Sequence, residues 1–174
     1  MDPLDLVVSL AETGRLGPLR CGMTLAEVQE VLGPFHDRIP QSKPRRWRPR
    51  LHFWDDLELL ICHGMVVAIG LPLWRDTVGL PPAVGGWDAP RPAMLPLAEV
   101  IGALDAAGCG WREAPEEVLG AAARAVRTLD SGVVLACWAD EGGTAVMRLG
   151  KVHKADYGVD QNDHSPRQGR ATVH

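Results

Sequence analysis

"GMTLAEVQEVLGPF", residues 22–35, carries the signals for a helix that is specified at both of its ends. Thr24 can accept a hydrogen bond from the backbone of Glu27, whose carboxylate can reach back to Thr24, which makes a capping box. The apolar residues that follow recur at helical spacing on one face: Leu25, Val28, Val31 and Leu32. Gly33 offers a left-handed stop, and the proline after it prevents continuation. The sequence therefore predicts a helix over 24–32.

Length and composition indicate a globular protein. The chain has 174 residues, of which 46% are hydrophobic and 23% charged, enough for one ordinary domain or for two small modules that share a core. Acidic residues outnumber Lys and Arg by 22 to 18, which gives a formal net charge of -4. This balance argues against a general nucleic-acid binder, which usually carries a basic face, and is compatible with a basic partner.

Neither an export signal nor a membrane span is predicted. The first residues, MDPLDLVVSLAETG, lack a basic region, and acidic residues interrupt their apolar run. No window approaches the roughly 18 apolar residues of a membrane helix. The four cysteines form no CxxC pair and are expected to be reduced and mostly buried. We therefore expect a cytoplasmic protein without membrane association.

Two stretches far apart in the chain share one helical pattern. DPLDLVVSLAETG (2–14) opens with a capping Asp and a Pro at the first helical position, and it ends at a Gly. PLAEVIGALDAAG (96–108) also opens with Pro and ends at Gly. The apolar residues correspond at a constant offset of 93: Leu4 with Leu97, Val7 with Val100, Val8 with Ile101, and Ala11 with Leu104. This correspondence predicts an internal duplication.

The strand patterns repeat as well. LELLICHGMVVAIGL (57–71) has two extended runs about a His-Gly turn, and VVLACWADEGGTAVMRL (133–149) has two about Asp-Glu-Gly-Gly. A further strand precedes each pair, over 46–54 and over 124–129. The predicted organisation is a first helix-helix-sheet repeat over 1–71, a Pro/Gly-rich linker over 72–95, a second, shortened repeat over 96–152, and a flexible tail over 153–174.

The first repeat resembles two related families, the BamE/SmpA-type outer-membrane assembly lipoproteins and the tandem-repeat β-lactamase inhibitor proteins. The matching residues are Gly22, Met23, Thr24, Glu27, Val28, Leu32, Gly33 and Pro34, followed by the hairpin around Gly64. The resemblance implies an α+β fold of two BamE-like repeats, each with helices packed on one face of an antiparallel sheet. Two copies favour the inhibitor-like arrangement, in which paired sheets present one concave surface to a protein.

The sequence departs from both families where they carry export features. BamE-type proteins are lipidated on a cysteine behind an export signal, whereas Cys21 follows Arg20 and has no hydrophobic stretch before it. An intracellular protein of the inhibitor-like design resembles an immunity protein, which neutralises a cognate toxin by covering its functional surface. We therefore expect a non-enzymatic binding protein whose partner is a protein, most simply a basic toxin domain.

Two tryptophans beside acidic turns are the candidate contacts with that partner. Trp54 and Trp138 lie at strand ends, and a Trp flanked by carboxylates is suited to anchor a basic surface. The predicted partner-binding residues are Trp54, Asp55, Asp56, Glu58, Trp138, Asp140 and Glu141. Trp74, Trp87 and Trp111 are expected instead to pack the linker against the repeats.

Other functional classes remain open at this stage. Asp56 and Glu58 can share one face of a strand, so a hydrolytic enzyme is one alternative, and an intracellular ligand-sensing or scaffold module is another. No HExxH, GxSxG, Walker loop or GxGxxG occurs, so no catalytic residue, metal or cofactor is predicted. The basic run KPRRWRPR (43–50) is interpreted as edge-strand protection, with protein or nucleic-acid contact as alternatives.

Overall fold

The computed structural model describes residues 2–35, 49–85, 87–118, 123–139 and 147–156. Within these ranges the helices are α1 (Pro3–Thr13), α2 (Leu25–Leu32), α3 (Pro82–Gly85) and α4 (Leu97–Ala106), with a 3-10 turn at Pro115–Glu117. The strands are β1 (Arg50–Trp54), β2 (Leu57–Cys62), β3 (Met65–Pro72), β4 (Thr77–Val78), β5 (Arg91–Pro92), β6 (Trp111–Glu113), β7 (Ala123–Thr128), β8 (Val134–Ala139) and β9 (Met147–Ala155). The protein is therefore α+β.

Seven of these strands form one antiparallel sheet, in the order β1-β2-β3-β9-β8-β7-β6. Two antiparallel meanders, β1 to β3 and β7 to β9, meet where their last strands pair, with Leu71 opposite Val152. β4 and β5 form a separate two-stranded ribbon. β1 is an edge strand, as the sequence predicted, and β6 is the other edge.

Helix α2 forms as its local sequence predicts. The Thr24 hydroxyl accepts a hydrogen bond from the backbone N–H of Glu27 (3.2 Å), and the Glu27 carboxylate accepts one from the Thr24 N–H (2.7 Å). Gly33 ends the helix with φ of +76°, but its ψ of -170° lies outside the left-handed helical well that we expected. That backbone region is essentially confined to glycine, so Gly33 is still required there.

The outer helices and the hairpin turn also follow local signals. Asp2 and Asp5 form a capping box at the start of α1, and Gly14 ends this helix in the left-handed conformation. α4 begins after Pro96 and contacts α1. His63 and Gly64 both have positive φ in the β2–β3 turn, which is the requirement of a tight type I′ hairpin.

The hydrophobic core lies between the helices and one face of the sheet. Along β2, Leu57, Leu59 and Ile61 are buried, while the residues between them are only half-buried. One continuous cluster joins these residues to α1 and α4 through side chains such as Leu10 and Leu104, both fully buried. A fully buried leucine contributes roughly 1.5–3 kcal/mol, so this cluster is the main source of stability. The opposite face carries no α-helix among the described residues, and we refer to it as the open face.

Residues 72–95, which the sequence predicted to be a linker, are an integral part of the fold. The segment contains β4, α3 and β5, and its apolar side chains enter the core: Leu73, Val78, Leu80, Val84, Trp87 and Ala93. The prolines and glycines break regular structure but leave apolar residues between them, and these are buried by the helices and the sheet. β9 also continues to Ala155, beyond the predicted start of the tail at 153; residues 157–174 lie outside the described ranges.

Candidate functional site

Several candidate residues lie at one end of the sheet. Because neighbouring strands run antiparallel, the end of β1, the end of β3 and the end of β8 all lie at the same end. This brings the β1–β2 turn to the same end of the sheet as the segment after β3 and the final residues of β8. We call Asp55, Asp56, Trp74 and Trp138 the tryptophan edge.

Trp54 does not belong to this surface. Its side chain is 2% exposed, and its indole N–H donates a 2.9 Å hydrogen bond to the carbonyl of Gly33. The ring also packs edge-on against Phe35, with 5.8 Å between centroids. Strand alternation explains this difference from the expected anchor role, because residue 54 of β1 points to the helix side, where the core lies. Trp54 joins the end of α2 to β1 and is not available to a partner of the folded chain.

Trp74 is the more exposed tryptophan at this edge, although the sequence led us to expect it to be packed. It is 64% exposed, and the Arg75 guanidinium lies 4.9 Å from its ring centroid. Arg75 in turn donates a 2.8 Å hydrogen bond to Asp56. Stacking between a guanidinium and an indole is favourable, so the exposed ring is held on one side.

Asp56 organises this edge rather than pointing freely into solvent. Besides Arg75, its carboxylate accepts a 2.8 Å hydrogen bond from the N–H of Gly79, and its own N–H donates to the Gly79 carbonyl at 3.0 Å. The neighbouring Asp55 is exposed and has positive φ, a conformation that Asp tolerates in turns. Asp56 is thus a positioning residue, and Asp55 is the free-facing carboxylate of the turn.

Trp138 lies near the end of β8 and is 36% exposed. It pairs with Ala123 of β7 and Arg148 of β9, which locates its backbone at the same end of the sheet as the β1–β2 turn, with β3 and β9 between β2 and β8. Two further candidate contacts, Asp140 and Glu141, lie outside the described residues. Trp138 is therefore partly exposed at the surface, and its role as a partner contact stays a prediction.

Glu58 lies on the open face and is engaged across the sheet. Its carboxylate accepts a 2.5 Å hydrogen bond from the Lys151 ammonium, and so links β2 to β9 over the intervening strand β3. Gly70 of β3 lies directly beneath, where an added Cβ would approach both side chains at 3.2–3.3 Å. Asp56 and Glu58 thus have different cationic partners, and they do not form the shared carboxylate pair considered for a hydrolase.

Ion pairs continue along the open face toward β6. Arg127 is paired with Glu117 and Arg112 with Glu116, so that both acidic residues of the 3-10 turn contact the sheet. Beneath this turn, a small apolar cluster packs against the same face, formed by Ala114, Ala125, Val134 and Val118. The 3-10 turn therefore covers the β7–β8 part of the open face and leaves the β2–β3–β9 part uncovered among the described residues.

A shallow cavity of about 230 Å³ lies in that uncovered part. Its floor is β3, where Ala68 and Gly70 have the shortest side chains on the open face. The taller side chains on the two flanking sides form its walls: Leu51, Glu58, Leu60, Lys151 and His153. Two small residues between larger neighbours are thus the cause of the depression.

Burial shifts the pKa values of two side chains, one on the open face and one in the core. It lowers the pKa of His153 below its usual value, and the positive charge of Lys151 lowers it further. In the core, burial raises the pKa of the Cys137 thiol to about 12. None of the four cysteines, all of them among the described residues, forms a disulfide bond; Cys109 and Cys137 are buried and the other two half-buried. Cys137 is therefore suited to packing and not to nucleophilic chemistry.

Comparison with known proteins gives no identification. No protein-family model, curated protein or solved structure matches this chain.

Among the described residues, no three or more His, Cys, Asp or Glu side chains are grouped so as to hold a metal ion. None of the described helices combines the length and the apolar character that a bilayer span requires.

Proposed function

We propose that this chain is a non-enzymatic protein-binding protein of the cytoplasm, most specifically an immunity protein. It would neutralise a cognate toxin by covering the toxin's functional surface. Its architecture would be two BamE-like repeats, the second shortened, as in the tandem-repeat β-lactamase inhibitor proteins. No cofactor is required for this role.

The strand order supports the repeat interpretation. Each half of the sheet contains a three-stranded meander that follows a helix with the same apolar spacing, α1 in one half and α4 in the other. The two meanders join through their last strands, an arrangement that a two-fold relation between repeats would produce. In the C-terminal half, β6 and the 3-10 turn follow α4, where the first half has α2, consistent with a shortened copy.

The observation that carries the binding proposal is the exposure of two tryptophans at one end of an ordered sheet. Trp74 and Trp138 are 64% and 36% exposed, and the exposed Asp55 lies in the β1–β2 turn at the same end of the sheet. Exposed large aromatic residues are costly in water and are enriched among the residues that dominate protein–protein affinity. Flanking acidic charge favours a basic partner and speeds association with it.

The contact between Arg75 and Trp74 supports the same proposal. Because Asp56 holds Arg75 and Arg75 stacks on Trp74, less side-chain entropy is lost when the indole enters a partner's pocket. The proposed contact residues are therefore Trp74, Trp138 and Asp55, together with Asp140 and Glu141, which the sequence predicted and which lie outside the described residues. Asp56 positions Trp74 through Arg75, while Glu58 lies on the open face and is paired with Lys151.

The first experiment is co-purification of the tagged chain from its native cells, followed by mass spectrometry of the retained proteins. A single stoichiometric partner with toxic activity that the chain suppresses would support the immunity role. If no stoichiometric partner is retained under conditions that preserve weak complexes, this result would contradict the immunity role.

Once a partner has been identified, the tryptophan edge is tested by substitution. Trp74→Ala and Trp138→Ala should each weaken binding by about 30-fold or more, or about 2 kcal/mol, if they are anchors. Leu129→Ala is the matched control, because Leu129 is similarly exposed (61%) but lies in the β7–β8 turn at the opposite end of the sheet. Equal affinities for the wild type and both tryptophan variants would remove this edge from the binding surface.

A further inference from the structure

The cavity on the open face combines an apolar bed with a polar end. Leu51 and Leu60, which are cross-strand partners on β1 and β2, form its apolar wall, and Ala68 forms its floor. Glu58, Lys151 and His153 stand at the other end, around Gly70. A concave site with an apolar lining and a few convergent polar groups is the usual form of a small-molecule site.

The hydrogen-bond donors at the polar end favour an anion. His153 lies in one cross-strand row with Glu58 on one side and Arg127 on the other, and Lys151 is two residues away on the same face of β9. Glu58 is paired with Lys151 and Glu117 with Arg127, so these four charges balance. An ammonium group carries three N–H donors, however, so Lys151 can donate to a ligand as well as to Glu58. The imidazole Nδ1 of His153 is buried and has no hydrogen-bond partner among the described residues. A buried polar atom without a partner costs free energy, and a ligand that supplies one recovers it.

We propose that this cavity binds a small organic monocarboxylate. Its carboxylate lies between Lys151 and His153, and its apolar body lies on Ala68 against Leu51 and Leu60. The volume of about 230 Å³ is below the roughly 300–1,000 Å³ of drug-sized pockets, so the ligand has on the order of ten non-hydrogen atoms. This site is separate from the tryptophan edge and does not depend on the proposed protein partner.

Proton uptake accompanies binding in this arrangement. The groups that face His153 are Lys151 on its own strand, Arg127 on β7, Glu58 on β2 and Glu117 on the 3-10 turn. In the free protein, burial and the cations keep the pKa of His153 low, whereas a bound carboxylate raises it. We therefore expect affinity to increase as pH falls through the range in which His153 titrates, as long as the ligand's own carboxylate remains ionised.

The test is an NMR titration of the full ¹⁵N-labelled chain with benzoate and hexanoate, and with benzamide as the uncharged analogue. For ligands of this size we expect a Kd on the order of 1 mM for the carboxylates, with benzamide about tenfold weaker or more. The amide signals that shift should be those of the cavity floor and polar end: Ala68, Gly70, Lys151 and His153. Binding should be tighter at about pH 6 than at about pH 8.

Two variants identify the site. Ala68→Leu fills the floor of the cavity without changing any charge, and it should abolish the saturable shifts. Lys151→Gln should weaken benzoate binding by about tenfold. Its matched control is Lys154→Gln, because Lys154 lies on the same strand but faces the helix side, beside Gly14 and Gly132.

The proposal is overturned if neither carboxylate gives saturable shifts, if benzamide binds as well as benzoate, or if Ala68→Leu leaves the shifts unchanged. Shifts that map to the tryptophan edge instead of β3 and β9 would also overturn it. The comparison of benzoate with benzamide on the wild-type chain remains decisive even where a variant fails to fold, as judged from its amide spectrum.

Discussion

At the scale of single residues, Trp54 and Trp138 follow the same local pattern, a tryptophan near a strand end beside an acidic turn, yet only one is a surface residue. Trp54 points to the helix side, where Gly33 accepts its indole hydrogen bond, and Trp138 points to the open face. The difference is one of strand register, because successive residues of a strand face opposite sides. The role of each tryptophan therefore depends on what covers its side of the sheet.

This difference predicts unequal effects of one substitution. Trp54→Phe removes buried volume and leaves the Gly33 carbonyl without its donor, so it should lower the free energy of unfolding by about 1–3 kcal/mol. Trp138→Phe, at the surface, should change it by less than about 0.5 kcal/mol. Urea denaturation of both variants measures these differences, and equal effects would contradict the placement of Trp54 in the core.

A second prediction at this scale concerns His153. Burial, and then the charge of Lys151, lower its pKa in the folded state, so below about pH 6.5 the unfolded chain binds a proton that the folded chain resists. The free energy of unfolding should therefore decrease as pH falls from about 7 to about 5. His153→Gln should remove this contribution to the change of the free energy of unfolding with pH. His63→Gln, in the exposed β2–β3 turn, serves as the control. The measurement is urea denaturation of the wild type and both variants at several pH values. The same dependence of the free energy of unfolding on pH in all three would contradict the prediction.

At the scale of elements, α2 is specified locally and attached by tertiary contacts. Its capping box lies within the helix, but the backbone N–H of Leu25 also donates to the carbonyl of Gly64, at 2.9 Å. Thr24 forms an isolated β-bridge with Met65, so the start of the helix is joined to the β2–β3 turn. The same few residues thus begin one element and connect it to another.

The cap gives a direct test of this attachment. Thr24→Ala removes the hydroxyl that accepts from Glu27 and should destabilise the protein by about 1 kcal/mol, since an N-cap contributes roughly 0.5–2 kcal/mol. Thr24→Ser retains the hydroxyl and should lie close to the wild type. Thermal or urea unfolding distinguishes them, and an alanine variant as stable as the serine variant would show that the cap is dispensable.

At the scale of the whole molecule, the two meanders share one core and one sheet. The continuous hydrophobic cluster includes residues of α1, α4, β2 and β8, and the junction between β3 and β9 runs through the middle of the sheet. The ion pair between Glu58 and Lys151 crosses this junction on the open face. The predicted repeats are thus not independent folding units, because neither half encloses its own core.

We accordingly predict that the chain unfolds in a single transition and that residues 1–71 alone do not fold. In that fragment β3 would become an unpaired edge, and the core would lose α4, β8 and β9 together with the buried side chains of 72–95. Circular dichroism and tryptophan fluorescence of the full chain should give coincident unfolding curves. A fragment 1–71 with a cooperative thermal transition would contradict the shared core.

The sequence by itself determined the features that depend on neighbours within about four residues. The caps at Asp2 and Thr24, the glycine stops of α1 and α2 and the His63-Gly64 turn all follow from such contacts, and together they specified an α+β chain with strands in meanders. For these features the interacting groups are brought together by the local backbone itself, whichever fold surrounds them.

Only the tertiary structure decided which side chains are covered. It buried Trp54, exposed Trp74, drew the apolar residues of 72–95 into the core, and paired Glu58 with Lys151, 93 positions along the chain. Each of these outcomes depends on elements distant in sequence that lie side by side in the sheet. Burial is a property of the assembled layers, so no local pattern contains it.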